Sequence, residues 1–216
     1  MELRDGMDNQ TNFDVVTCNS RILCFYAIKA LYSQGVPCVP LEEYNKHTKL
    51  SNDKLWTVRT SPINQKGVYG DTPKLIGKKS EYVHRWIAMC PSAYKFFYYP
   101  YFIAEKSGLL YIHHRKITIE ATKGDLWNLT DNHNCVECIT VVKNDQQIIG
   151  ETEFLTSNEI QSILKYVPYF ITQREISFQR GNQLQVEWSF AYDSDLDKHP
   201  VGNPHLLFYG FRDIKL

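Results

Sequence analysis

QLQVEWSFAY, Gln183 to Tyr192, is the stretch whose reading decides the fold. Leu184, Val186, Trp188, Phe190 and Tyr192 alternate with polar or small residues, and a period of two puts all five on one face of a strand. That face is core. Just before it, REISFQ (Arg174 to Gln179) and the Gly181-Asn182 turn predict the partner strand of an antiparallel hairpin. Further upstream, CVECITVVK from Cys135 and QIIGETEF from Gln147 predict a second hairpin around Asn144-Asp145. Between the hairpins, Thr156 and Glu159 have capping-box spacing. Ile160, Ile163, Leu164 and Val167 then share a helix face, and Pro168 is read as its end. HLLFYGFRDI, His205 to Ile214, reads as the terminal strand.

Toward the N-terminus, LLYIHHRKITIEAT (Leu109 to Thr122) has strand composition, Tyr94 to Phe102 is dense in aromatics, and Ser80 to Met89 suits a short helix. SRILCFYAIKALYSQ, Ser20 to Gln34, predicts the best helix, with Leu23, Ala27, Ala30 and Leu31 on one face and Gly35 as its stop. Val36 to Lys79 holds four prolines and is read as loop with short extended pieces and a helical turn over Leu41 to His47. The expectation is one α+β domain over 15–216, helical toward the N-terminus and antiparallel β toward the C-terminus, preceded by a flexible tail over 1–14.

The chain of 216 residues is 43% hydrophobic and 13% aromatic, which is enough apolar surface for a packed core and excludes the disordered classes. Met1 to Asn12 is polar and acidic, and no apolar run approaches membrane-spanning length, so an intracellular protein without a membrane partner is expected. In that setting the six cysteines read as reduced thiols.

Lysines and arginines number 24, as do aspartates and glutamates, so the formal net charge is zero. Lys54 to Lys79 nevertheless carries six basic residues against Asp71 alone. With the aromatics after it, this composition predicts a module that binds single-stranded or structured nucleic acid, cations on phosphates and rings on bases. The expected contacts are Lys54, Trp56, Arg59, Lys66, Lys78, Lys79 and Arg85. A protein-interaction or inhibitory module without chemistry is the first alternative, since interface cores favour aromatics.

A second alternative starts from Cys24 in LCFYAIKAL, because a helix N-terminus lowers a thiol pKa. That string resembles the nucleophile helix of papain-like and NlpC-type peptidases. The resemblance covers about a dozen residues and implies a cysteine hydrolase, with His205 as the base and Asp213 or Asn203 orienting it. Ile22 and Leu23 depart from the polar or glycine-containing turn of those families. His133, Cys135 and Cys138 have the spacing of half a structural zinc site, with no matching second half. No other cofactor is expected, because no phosphate-cradling loop, zincin, serine-hydrolase or calcium-loop pattern occurs.

Overall fold

The computed structural model describes residues 21–63, 72–142, 147–150 and 152–214, so the expected tail over 1–14 lies outside the described residues. In chain order the elements are α1 (Arg21–Ser33), β1 (Glu42–Glu43), β2 (Trp56–Pro62), β3 (Lys74–Lys78), α2 (Ser80–Met89), β4 (Tyr94–Pro100), β5 (Phe102–Ile112) and β6 (Lys116–Lys123). There follow α3 (Trp127–Thr130), β7 (Glu137–Val142), β8 (Gln147–Ile149), α4 (Ser157–Leu164), α5 (Val167–Gln173), α6 (Glu175–Gln179), β9 (Gln183–Ser194) and β10 (Pro200–Ile214). The class is α+β with antiparallel sheets.

The strands form two sheets. The larger has the order β10-β9-β5-β6-β7-β8 and the smaller β1-β4-β2-β3. In β9 the alternation acts as expected: Leu184, Val186, Trp188 and Phe190 are buried in the main core, and Tyr192 is half-buried. α1 and α5 pack on that core, and α1 buries Cys24, Phe25, Ala27, Ile28 and Leu31, a face rotated from the predicted one because Leu23 and Ala30 are only half-buried. α4 carries its capping box, with Thr156 Oγ1 accepting from the Glu159 amide at 3.2 Å and Glu159 Oε2 accepting from the Thr156 amide at 2.7 Å.

Four local expectations give way. REISFQ is helical (α6), because only one residue of its alternating pair is core: Phe178 is buried and Ile176 is 61% exposed. Pro168 opens α5, where its missing N–H costs nothing, instead of closing α4. Residues 109–122 are two strands turned at His113 to Arg115, and Glu42–Glu43 is a strand pair with β4. The short extended pieces expected within Val36 to Lys79 are β2 and β3.

β4 shows what the aromatic run is for. Phe97 and Tyr99 enter the main core, while Phe96 and Tyr98 pack against a small second cluster of Leu50, Trp56, Val58, Leu75 and Val83. The rings are therefore structural on both faces. The chain passes between the sheets at two places. Tyr101 alone separates β4 from β5, and its N–H donates to the Leu55 carbonyl at 2.8 Å. Before β1, residues 37–39 are tied to β10 by Val39 N–H to the Phe208 carbonyl at 2.9 Å and Phe208 N–H to the Pro37 carbonyl at 2.8 Å.

Candidate functional site

Alternation in β2 sends Trp56 and Val58 to the small core, so Thr57 and Arg59 point the other way, toward the large sheet. Arg59 is paired in register with Lys74 of β3, which sets two cations side by side on that face. On the opposing wall, the polar positions between the core residues of β9 supply Glu187 and Ser189, and β5 and β10 supply Ser107 and Tyr209. The space between the walls is a cavity of about 240 Å³, closed at one side by Asp125 and by Trp127 and Thr130 of α3. Lys74 Nζ lies 3.4 Å from the centre of the Trp127 ring, a cation–π contact that fixes the lysine at the mouth.

Arg59 is the electrostatic centre. Its Nη1 lies 3.7 Å from Glu187 Oε2, and its side chain is 27% exposed. Burial opposes its charge, but Glu187 and the phenols of Tyr99 and Tyr209 hold its pKa above the ordinary value. Burial also pushes the Tyr99 and Tyr209 phenols up, so both enter the site as neutral hydroxyls. Ser107 and Ser189 share a hydrogen bond of 2.7 Å, and Ser189 Oγ donates to the Tyr209 hydroxyl at 3.2 Å. The Asp125 carboxyl is raised by burial. Arg21 donates to Thr72 Oγ1, Thr72 Oγ1 donates to the Thr60 carbonyl at 3.3 Å, and Thr60 Oγ1 donates to the Pro73 carbonyl at 2.7 Å, so α1 is pinned to the ends of β2 and β3. Glu187 owes its position to Gly210: a Cβ there would fall 2.2 Å from Glu187 Oε2.

Of the described residues expected to contact nucleic acid, Arg59 alone lines this cleft. Lys54, Lys78, Lys79 and Arg85 are exposed, with Lys78 beside the Tyr82 ring at 5.6 Å and Arg85 in an ion pair of 2.9 Å with Glu81. Trp56 is buried and donates to the Ser51 carbonyl at 2.9 Å, which removes it from any stacking role. Lys66 lies outside the described residues. The cysteine-hydrolase set is not assembled. Cys24 is buried within α1, and His205 is exposed on β10. Asp213 sits eight residues further along the same strand, about 26 Å at strand rise. There it faces Arg174 at 3.6 Å. The zinc half-site is not completed either. Cys135 and Cys138 are exposed, Cys135 Sγ donates to the Glu137 carbonyl at 3.2 Å, and His133 has left-handed backbone at φ 54°. Among the described residues no group of three or more His, Cys, Asp or Glu could hold a metal ion, and no helix is long and apolar enough to cross a membrane.

Lys74, Glu187, Ser189, Tyr209 and Trp127 were not singled out by the sequence pattern as site residues. Glu187 and Ser189 occupy the polar positions of the very alternation that reveals β9, but a polar strand face looks the same whether it meets water or a second sheet.

No family model and no curated protein matches the chain. Among solved structures it is similar to N5-carboxyaminoimidazole synthetase from Staphylococcus aureus, with a TM-score of 0.50 and 9% identity over 93% of this chain and 45% of that one. The same synthetase complexed with ADP gives a TM-score of 0.49, 12% identity, and 93% and 46% coverage. D-alanine–D-alanine ligase from Bacillus anthracis complexed with ATP gives 0.47, 12%, and 96% and 63%. The chain spans about half the length of the synthetase, and at 9% identity the likeness is one of fold. That likeness of fold to a synthetase overturns the expected nucleic-acid or interaction module and the cysteine hydrolase. The buried Trp56 and β4 aromatics give the physical reason for the first correction, and the separation of Cys24, His205 and Asp213 gives the reason for the second.

Proposed function

We propose that the cleft between the two sheets binds a nucleoside triphosphate, and that the chain is the nucleotide-binding part of an ATP-dependent ligase of the ATP-grasp kind. The observation that carries this reading is the Arg59 and Lys74 pair, two cations in register on neighbouring strands, facing a wall of hydroxyls and a single carboxylate. A partly desolvated guanidinium presents a planar fork that suits phosphate oxygens, and Lys74 adds a point charge. Phe102, Tyr101 and Trp127 supply apolar ring surface in the same cleft for a base. The ligase fold supports this assignment.

The donor set fits the phosphates of such a nucleotide. It does not by itself make a metal centre: the cleft carboxylates are Asp125, raised toward its neutral form by burial, and Glu187, which faces Arg59. No step is therefore assigned to a protein-held metal.

The test is a titration of the protein with ATP, read by tryptophan fluorescence and by calorimetry, in wild type, Arg59→Gln and Lys74→Gln. Loss of one charge-assisted phosphate contact should weaken binding roughly tenfold or more. ATP affinity unchanged in Arg59→Gln overturns the reading.

A further inference from the structure

The tip of the hairpin that joins β9 to β10 touches the small sheet. It is fixed from within: Asp195 Oδ1 accepts from the amides of Asp197 at 2.9 Å and His199 at 2.7 Å, the Asp195 N–H donates to the His199 carbonyl at 3.1 Å, and the Asp195 carbonyl accepts from the Lys198 amide at 3.3 Å. Within that turn Lys198 takes left-handed backbone, at φ 65°. A lysine has no local preference for that conformation, and here it is repaid by where the side chain reaches. The Lys198 stem lies over Gly77 of β3, and its Nζ is 5.5 Å from the centre of the Tyr101 ring.

The seat is equally specific. Trp56 pairs with Lys78 and Val58 with Leu75, so Ile76 and Gly77 face Thr57 alone, a bulge in the edge strand of the small sheet. Gly77 has φ +57°, and a Cβ on it would fall 3.2 Å from both Lys198 Cε and the Tyr101 ring, so glycine leaves the room in which lysine and ring close over the strand. Gly77 is buried in consequence, although β3 is an edge. At its other end β3 is tied by Lys74 to the Trp127 ring, and α3 is anchored to β6 by Asn128 Nδ2 donating to the Lys123 carbonyl at 2.8 Å. Each end of the strand is thus held by a lysine on a ring, and each ring lines the cleft. Lys198 itself is exposed and lies outside the cleft lining.

We infer that Lys198 is a positioning residue for the cleft: from outside, it holds the Tyr101 ring and the bulged end of β3 against the large sheet, and so sets how far the cation-bearing wall stands from Glu187. What the cleft holds is the nucleotide of the reading above, on which this role rests; the placement of Tyr101 and β3 is observable without it.

Lys198→Met keeps most of the stem and removes the charge, Lys198→Arg keeps a cation that stacks on rings, and Tyr101→Leu removes the ring. Two quantities are measured on each: hydrogen exchange at the β3 amides of the nucleotide-free protein, and ATP affinity by calorimetry. Lys198→Met should speed exchange of the Ile76 and Lys78 amides about two- to fivefold, the effect of one solvent-exposed cation–π contact, while the Val186 and Trp188 amides of β9 keep their rates. ATP affinity should fall by a similar factor. Lys198→Arg should restore both, and in a Tyr101→Leu background Lys198→Met should have no further effect. Tyr101→Phe keeps the ring and should leave the effect of Lys198→Met intact; it carries the comparison if Tyr101→Leu does not fold. Lys49→Met removes the same charge from an exposed lysine of the loop before β2 and should change neither quantity. β3 exchange unchanged in Lys198→Met overturns the inference, and so does an equal loss in Lys198→Arg or in Lys49→Met, an undiminished effect in the Tyr101→Leu background, or an effect lost in Tyr101→Phe. ATP affinity unchanged in Lys198→Met, where wild type binds ATP, overturns it too. If wild type binds no ATP, the nucleotide reading fails, and exchange at β3 still decides whether Lys198 holds the strand and the ring.

Discussion

β9 and β10 of the large sheet run for 12 and 15 residues, whereas β3 of the small sheet runs for 5 and β1 for 2. The long strands bury Trp188, Phe208 and Phe211 in a core that also takes in α1, α5 and the loop over 36–41. The small sheet has its own cluster of five buried residues, with Trp86, Ile87, Phe96 and Tyr98 at their margin, and lends Phe97 and Tyr99 of β4 to the main core. One wall of the cleft is therefore held by extensive apolar burial, and β2 and β3 of the other by less. The better-held wall offers the hydroxyls and Glu187; the lightly held wall offers the cations. Local stability follows buried apolar contact, so the cation-bearing wall is the one expected to open at lower free-energy cost.

Trp188→Ala should break the large sheet outright. Removing a fully buried indole costs about 3–5 kcal/mol, read as a lowered midpoint in denaturant unfolding. Val58→Ala, at the centre of the small cluster, should cost about 2 kcal/mol, and the loss should be local. Native-state hydrogen exchange should speed up at β2 and β3 amides while β9 amides keep their protection, and ATP affinity should fall with it. Equal acceleration in β9 would mean that the two sheets open as one unit, and would abolish the contrast. The smallest effect belongs to the α4 cap, where Thr156→Ala should cost about 1 kcal/mol and leave nucleotide affinity untouched.

That cap also has a pH signature. Burial alone would raise the Glu159 carboxyl, but its bonds to Thr156 and Lys106 more than offset this and hold it below the ordinary value. A carboxylate whose folded pKa is depressed contributes its full stabilisation above its unfolded pKa and loses it as the pH falls through the folded value. Acid unfolding of Glu159→Gln should therefore be less steep than that of wild type below about pH 4.3.

What could be read from the residues follows the same division. β9 and the capping box are visible because each is a local pattern repeated to completion: five alternating large residues, and a Thr and Glu at one fixed spacing. β2 and β3 are legible only as short extended pieces of a loop, because Pro62 ends β2, Pro73 precedes β3 and Gly77, at φ +57°, lies by a register shift in their pairing. Short strands built around such residues look like loop. REISFQ failed for the opposite reason, since six residues of apparent alternation are too few to separate a strand from a helix turn that buries Phe178 alone. At the site, Arg59 was singled out as a phosphate contact, but for a polymer. Glu187, Ser189 and Tyr209 become functional candidates only when two sheets face each other, and that is a property of tertiary placement.

The two places where the chain passes between the sheets define a line. Tyr101 marks one end, following Pro100 with its ring-locked φ, and residues 37–39, strapped to Phe208, mark the other. Two chain crossings favour one motion, rotation about the axis through them, once the contacts of α1 with β2 and β3 and of Phe97 and Tyr99 with the main core yield. The cation-bearing wall should swing as a hinged door does, without sliding along its frame, so the distance from Arg59 to Glu187 serves as the opening angle. Fluorophores placed on Tyr82 and Val201, both exposed, should report that angle as a single coordinate when the cleft is filled.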